Sequence, residues 1–241
     1  MATLFISDLH LDAKRPDIGE QFLALLEGEA RNAETLYILG DLFESWVGDD
    51  DPNEHYAAIK SALRALVDTG VPVYFMHGNR DFMIGADFAG ETGVQILPDP
   101  TPIELHGDTV LLSHGDALCT DDVEYQQVRT MVRNPEWQAM MLAKPIEERL
   151  AFAAHARAQS MERNQSLSED ITDVNQGEVD NLINEHGVDI LLHGHTHRPA
   201  VHEVDLGDRT AKRIVLGDWY EQGSIVRWDE NGFSLDAMPR S

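Results

Sequence analysis

The chain has 241 residues, 42% of them hydrophobic, enough to bury a substantial core as one domain or as one domain with an insertion. Its formal net charge of -25, from 18 basic and 43 acidic residues, disfavours attraction of the whole molecule to nucleic acid or to an anionic surface. One cysteine, Cys119, excludes an intramolecular disulfide, and Met1 to Ser7 runs straight into Asp8 with no signal-peptide pattern, so a cytoplasmic protein without a membrane span is expected.

Thr3-Leu4-Phe5-Ile6-Ser7 is a short apolar run ending in Asp8-Leu9-His10, which predicts a buried strand that delivers a carboxylate and an imidazole at its C-terminal end. In open α/β sheets ligands bind at such ends. Ile18, Phe22, Leu23, Leu25 and Leu26 recur at helical spacing and predict a crossover helix over 18–30, and Thr35 to Leu39 predicts a second strand tipped by Gly40-Asp41. Asp49-Asp50-Asp51-Pro52 reads as a solvated loop before a helix over 54–69 that Gly70 closes. A third strand, Val71 to Met76, is tipped by His77-Gly78-Asn79-Arg80-Asp81. After a short helix near 86–92 come strands over 101–105 and 109–112 around a turn at His106-Gly107-Asp108, the second tipped by Ser113-His114-Gly115-Asp116.

From about 121 to 167 the strand signal disappears, and helical segments carry Trp137, Met140, Met141, Ile146, Leu150 and Phe152. This stretch holds six basic residues against seven acids, so it is nearly neutral while the remainder carries almost all the negative charge. It is either a lid with its own task or a hairpin whose apolar residues pack on the body. A helix over 178–185 and a strand over 188–192 follow, and Gly194-His195-Thr196-His197 tips that strand. Residues 200–205, 212–216, 223–228 and 233–237 read as short antiparallel strands. The expected architecture is one α/β sandwich domain over 1–241 with a helical insertion.

Two imidazoles one residue apart suit a metal site, although His195 and His197 could equally be solvated turn histidines. The rest of the chain favours the metal. Asp8 with His10, Asp41, Asn79, His114, and His195 with His197 each follow an apolar run. Carboxylate, imidazole and amide oxygen together suit manganese, iron or zinc, and seven ligands serve two ions if Asp41 bridges. Two ions about 3.5 to 4 Å apart clamp the oxygens of a phosphoryl displacement, which points to phosphoester or phosphoanhydride hydrolysis. His77 and His193 read as packed neighbours of the site, His55, His106, His155, His186 and His202 as solvated, and Cys119 as a small buried residue. Asp218 is a supporting acid or a turn residue.

These blocks, Asp8-x-His10, Gly40-Asp41, Gly78-Asn79, Ser113-His114-Gly115-Asp116 and Gly194-His195-Thr196-His197, resemble in order and spacing those of the calcineurin-like metallophosphoesterases. The resemblance covers the chain apart from the insertion and implies a two-sheet αββα sandwich of the metallo-dependent phosphatase type. It also implies that Asp8, His10, Asp41 and His197 hold one metal, and Asp41, Asn79, His114 and His195 the other. At position 80 the broad family usually has a histidine that assists the leaving group, whereas this chain has Arg80. An arginine stays charged and cannot serve as a general acid, which suits a leaving group that is itself a phosphate.

Gly78-Asn79-Arg80-Asp81-Phe82, together with Ser7-Asp8-Leu9-His10-Leu11, Gly40-Asp41-Leu42-Phe43-Glu44, His193 to Pro199, Leu216-Gly217-Asp218-Trp219 and the insertion, is similar to a branch of that family that cleaves a lipid-linked UDP-sugar in lipid A biosynthesis. That likeness implies water attack at the α-phosphorus with release of UMP, two Mn2+ ions per subunit, and peripheral contact with the cytoplasmic face of the inner membrane of a Gram-negative bacterium. It makes Asn79, Arg80 and His195 the catalytic candidates, and Asp122, Tyr125, Arg157, Ser160, Asn164 and position 167 further substrate contacts. Position 167, often polar in these enzymes, is Leu167 here. The partners expected are the lipid-linked UDP-sugar and the membrane surface, with no nucleic acid, in a monomer. The rival readings are a generic phosphodiesterase or phosphatase of the same family and a metal-bound scaffold without catalysis.

Overall fold

The computed structural model describes residues 1–164 and 171–239. Strand β1 (Thr3–Ile6) is buried at every residue, as a central strand covered on both faces must be. Pro16 opens helix α1 (Pro16–Glu27), whose fixed φ suits the first helical turn, and Ile18, Phe22, Leu25 and Leu26 form its buried stripe. Strand β2 (Thr35–Leu39), helix α2 (Ala57–Val67), strand β3 (Val73–Met76), helix α3 (Ala86–Thr92) and strand β4 (Gln95–Leu97) follow. Strands β1 to β4 are parallel, with Thr3 opposite Thr35, Leu36 opposite Val73 and Tyr74 opposite Gln95. Strand β4 carries no sequence signal because its three residues are only half covered and too few to show a period.

Strands β5 (Thr101–Leu105) and β6 (Asp108–Ser113) form a hairpin across His106 and Gly107, both at positive φ, as a two-residue turn matched to strand twist requires. Helices α4 (Val123–Val132), α5 (Pro135–Leu142) and α6 (Ile146–Asn164) make up the insertion, and helix α7 (Gln176–His186) returns the chain to the body. Asp122 caps α4 by accepting from Tyr125 N at 2.8 Å, and Asn134 caps α5 ahead of Pro135. Strands β7 (Ile190–His193), β8 (Ala200–Asp205), β9 (Thr210–Val215), β10 (Gly223–Asp229) and β11 (Gly232–Met238) complete the fold.

One sheet has the order β11-β10-β1-β2-β3-β4 and the other β5-β6-β7-β9-β8. Phe5, Leu39, Met76, Leu112, Leu192, Ile214 and Trp228 fill the space between them. Helices α1 to α3 cover the outer face of the first sheet through Ile18, Phe22, Leu63 and Phe88, and α7 covers the second through Val179 and Ile183. The layers are therefore helix, sheet, sheet, helix, the αββα sandwich expected. The antiparallel reading of 200–237 holds within the β8/β9 and β10/β11 pairs, but β9 also lies parallel to β7. Side-chain alternation reports which face of a strand is buried and carries no information on which strand lies beside it.

The acidic run at 49–51 is more than a solvated loop. The Asp49 carboxylate accepts from Trp46 Nε1 at 3.0 Å, Gly85 N at 3.0 Å and Phe88 N at 2.9 Å, so it satisfies the open N-terminus of α3 from a distance in sequence. Asp50 receives both terminal nitrogens of Arg149, which is buried on α6 and also donates to Val47 O at 2.6 Å. That pair fastens the insertion to the loop after β2.

Candidate metal centre

The C-terminal ends of β1, β2, β3, β6 and β7 meet at one rim, where Asp8, His10, Asp41, His195 and His197 all adopt positive φ. Left-handed backbone is uncommon for non-glycine residues and turns the chain sharply as it leaves each strand. Buried carboxylates tie the turns together. Asp81 accepts from Leu42 N at 2.7 Å and from Gly78 N at 2.8 Å, and Asp8 Oδ2 accepts from His195 N at 2.9 Å. Close approach is built in as well: a Cβ on Gly78 would overlap Asp41, and one on Gly194 would overlap Asp8 and Ser7.

Two clusters of ligand atoms result. In the first, His10 Nε2 lies 3.3 Å from His197 Nε2, 4.0 Å from Asp8 Oδ1 and 3.8 Å from Asp41 Oδ2, and His197 Nε2 lies 3.3 Å from Asp8 Oδ1. In the second, Asn79 Oδ1 lies 3.0 Å from His114 Nε2 and 2.9 Å from His195 Nδ1, while Asp41 Oδ1 lies 3.8 Å from His114 Nε2. Asp41 thus shows one oxygen to each cluster.

The chemistry of the donors tests whether cations fit. His197 Nδ1 meets Asp218 Oδ2 at 3.2 Å and donates there, and His10 Nδ1 lies 3.0 Å from Glu44 Oε2, so a carboxylate stands behind each ring. The two Nε2 atoms face each other across 3.3 Å with Asp8 Oδ1 beside His197, so a cation that displaces the proton held there would find both imidazoles and a carboxylate oxygen already turned toward it. His114 likewise donates from Nδ1 to Leu39 O at 2.8 Å and turns its Nε2 toward Asn79 and Asp41. Ligand atoms about 2.0 to 2.2 Å from a common ion fall about 3 to 4 Å from one another, and the distances here run from 2.9 to 4.0 Å. The residues present fit the group.

Electrostatics agree. Burial alone would raise the Asp8 carboxyl, but the imidazoles of His197, His114 and His10 hold it below the usual carboxylate range. Burial pushes His10 and His195 down to about 4. His197 rises to about 10 and His114 to about 9 against their own desolvation, because Asp8 and Asp218 face the first and Asp41, Asp8 and Asp116 the second. Protons collect where positive charge is wanted, so a bound cation would displace them.

The remaining expected residues line the space above. A cleft of about 310 Å³ is bounded by His10, Asp41, Asn79, Arg80, Asp122, Tyr125, Ser160, His195 and His197. Tyr125 stacks on His195 with ring centroids 5.9 Å apart, and its hydroxyl donates to Asp116 at 2.7 Å. Arg157 pairs with Glu44 and lines a neighbouring apolar cavity. The Asn164 side chain and Leu167 lie outside the described residues. His77 packs edge-on against Phe75, and His193 bonds Gly194 O and Arg213. His55, His106, His155, His186 and His202 are exposed. Burial raises the Cys119 thiol to about 12, which leaves it no nucleophilic character.

Sequence reasoning assigned no role to Glu44, Asp81, Asp116 or Tyr220. Glu44 follows Asp41 by three residues, and only the fold shows that it faces His10. Glu44→Gln is expected to lower manganese affinity by about 10- to 100-fold, read by titrating the ion into chelator-treated protein. Asp116 is fully buried and holds Arg129 Nε at 2.9 Å, with Arg133 Nη2 at 3.7 Å. Desolvation would raise its carboxyl, yet His114, Arg129 and Arg133 hold it below the usual range. A carboxyl depressed in the folded state contributes stability that is present above the unfolded value of about 3.9 and lost as pH falls below it. Asp116→Asn should therefore cost about 3 kcal/mol in urea unfolding at pH 7 and progressively less below about pH 4.

Residues 1–199 match the family profile described as calcineurin-like phosphoesterase. The chain belongs to the calcineurin-like phosphoesterases. This phosphoesterase is 53% identical over 247 aligned residues, covering all of both chains, to the UDP-2,3-diacylglucosamine hydrolase of Stenotrophomonas maltophilia strain R551-3. It is 54% identical, over 98% of each chain, to the protein of the same name from Xanthomonas oryzae pv. oryzae strain PXO99A. Both matches extend over the stretch of this phosphoesterase that forms the insertion.

Proposed function

We propose that this chain is a UDP-2,3-diacylglucosamine hydrolase, cleaving the pyrophosphate by water attack at the α-phosphorus to give UMP and 2,3-diacylglucosamine 1-phosphate. The observation that carries this reading is the pairing of two spaces through shared walls. The polar cleft and an apolar cavity of about 530 Å³ both include Asn79, Arg80, Tyr125 and Ser160. The cavity lies between the insertion and the body, lined by Trp46, Phe82, Val132, Trp137, Met141 and Phe152. A cation-binding centre with an arginine on its wall, beside an apolar chamber, is what a pyrophosphate with acyl chains on one side requires. The insertion is thus read as a lid over 121–167 whose apolar residues serve the substrate rather than merely packing.

Asp8, His10, Asp41 and His197 would hold one manganese ion and Asp41, Asn79, His114 and His195 the other; nitrogen and oxygen donors without thiolate suit that metal. Bound there, the pair would lower the pKa of the attacking water and withdraw charge from the phosphoryl oxygens. The protein's own residues do the rest. Asp218 holds His197 in the tautomer that presents Nε2, and Glu44 places a carboxylate behind His10. Arg80 reaches the cleft as a permanent positive charge and stabilises charge on the phosphates without transferring a proton, which suffices because the departing phosphate needs none. Asp122, Tyr125 and Ser160 orient the glucosamine phosphate, and Arg157, released from Glu44, turns to an anionic oxygen.

No helix among the described residues is long and apolar enough to cross a membrane. Contact with the inner membrane is assigned instead to the insertion, where Val123, Met131, Met140 and Leu142 are exposed and the acidic charge of the body is absent. The test is UMP release from UDP-2,3-diacylglucosamine in detergent micelles, with bis(aryl) phosphate as control. Manganese-dependent UMP release, lost with chelator and absent from the aryl diester, supports the assignment. Brisk hydrolysis of the aryl diester without UMP release returns the chain to the generic phosphodiesterases.

A further inference from the structure

On that reading the acyl end of the substrate enters the apolar cavity, the pyrophosphate lies over the ligand clusters, and the nucleoside needs a third space. A different wall of the cleft, formed by His197 and Tyr220, is shared with a groove of about 530 Å³ between the turn at 217–224 and strand β11. The Tyr220 ring stacks on His10, with centroids 5.3 Å apart and planes 14° apart, and meets His197 edge-on at 6.0 Å. The backbone of Tyr220 is held from both sides: its N–H donates to Asp218 Oδ1 at 2.9 Å and its carbonyl accepts from Arg15 at 2.7 Å. Gly217 N donates to buried Ser224 Oγ at 2.9 Å, so the floor of the groove is also fixed.

The lining selects a chemistry. Glu221 lines the groove together with Asp218, held by His197 and Tyr220 N, and Asp236, paired with Arg227, so its walls offer carboxylate oxygens that accept from hydroxyls. Gln222 adds an amide that donates and accepts side by side, the complement of an imide edge, and Tyr220 adds an aromatic face at the border with the cleft. A neutral ribose with a flat imide base meets these demands, and an acyl chain or a second phosphate does not.

We infer that this groove holds the uridine end of the substrate, with the base near Tyr220 and Gln222 and the ribose hydroxyls toward the carboxylates, while the α-phosphate stays in the cleft. The inference rests on the hydrolase reading for its ligand, and on the three adjoining spaces for its place. The substrate then spans the rim from lid to β11, with the scissile bond in the middle.

The test uses the full chain with manganese and UMP as probe, in Gln222→Ala and Ala237→Trp, both at exposed positions that line the groove. Binding of UMP is measured by titration calorimetry, and KM and kcat on the lipid nucleotide in micelles. Gln222→Ala is expected to weaken UMP binding about three- to tenfold and raise KM by a similar factor, with kcat retained. Ala237→Trp, which fills the groove, should do so more strongly. UMP affinity unmoved by both variants overturns the inference, and so does a loss confined to Thr172→Val, which lines the opposite part of the cleft. UMP binding that depends on Gln222 in a wild-type protein releasing no UMP from the lipid would sink the hydrolase reading and keep the groove as a nucleotide site.

Discussion

Arg80→Ala is expected to lower kcat on the lipid nucleotide by about 10²- to 10³-fold, the usual loss when one preorganised charge stabiliser is removed from a reaction centre. The backbone of Arg80 is pinned, its N–H donating to Asp41 Oδ1 at 2.8 Å and its carbonyl accepting from Trp46 N at 3.1 Å. Its Nε is buried and makes no hydrogen bond among the described residues. A guanidinium carried on a pinned backbone, with an unsatisfied buried donor at the border of cleft and cavity, is ready for a substrate oxygen. Arg80→Lys should recover part of the loss, since it restores the charge without the fork geometry. Steady-state kinetics decide: an alanine variant with kcat within twofold of wild type would mean that the arginine does not face the reacting phosphates.

Gly78→Ala should be nearly as damaging, although it removes no chemical group. A Cβ there would overlap the Asp41 carboxylate and the backbone around it, so the residue proposed to bridge both ions must move. Displacement of a reacting group by about 1 Å typically costs about 10²-fold, and crowding of this kind about 1 to 3 kcal/mol of stability. Activity, metal content and the urea midpoint, measured together, separate the effects. Full metal content and full activity in a destabilised variant would show that the rim relaxes around the methyl, contrary to expectation.

The strands and their tips were legible because both rest on local patterns. A short apolar run followed by Asp, Asn or His is visible along the chain, and the fold places those tips together as parallel strands dictate. What could not be read depends on partners distant in sequence. Glu44 faces His10 only because β1 and β2 lie side by side, and Tyr220 covers His10 from a turn more than 200 residues away. Asp49 looked like one of three solvated acids, yet it serves a helix that begins 37 residues later. The exposed apolar side chains of the insertion were countable in the sequence, but the cavity they make with Trp46 and Phe82 exists only in the folded chain.

The positive φ angles at Asp8, His10, Asp41, His195 and His197 bear on how this protein would change under selection. Each places a side-chain-bearing residue in a conformation that costs on the order of 1 kcal/mol or more and that glycine adopts freely. Glycine at any of the five would relieve that strain and delete a proposed ligand, and at Asp8 or Asp41 it would also remove the acceptor used by His195 N or Arg80 N. Their occurrence together marks the rim as the place where the fold gives up backbone comfort to aim side chains inward.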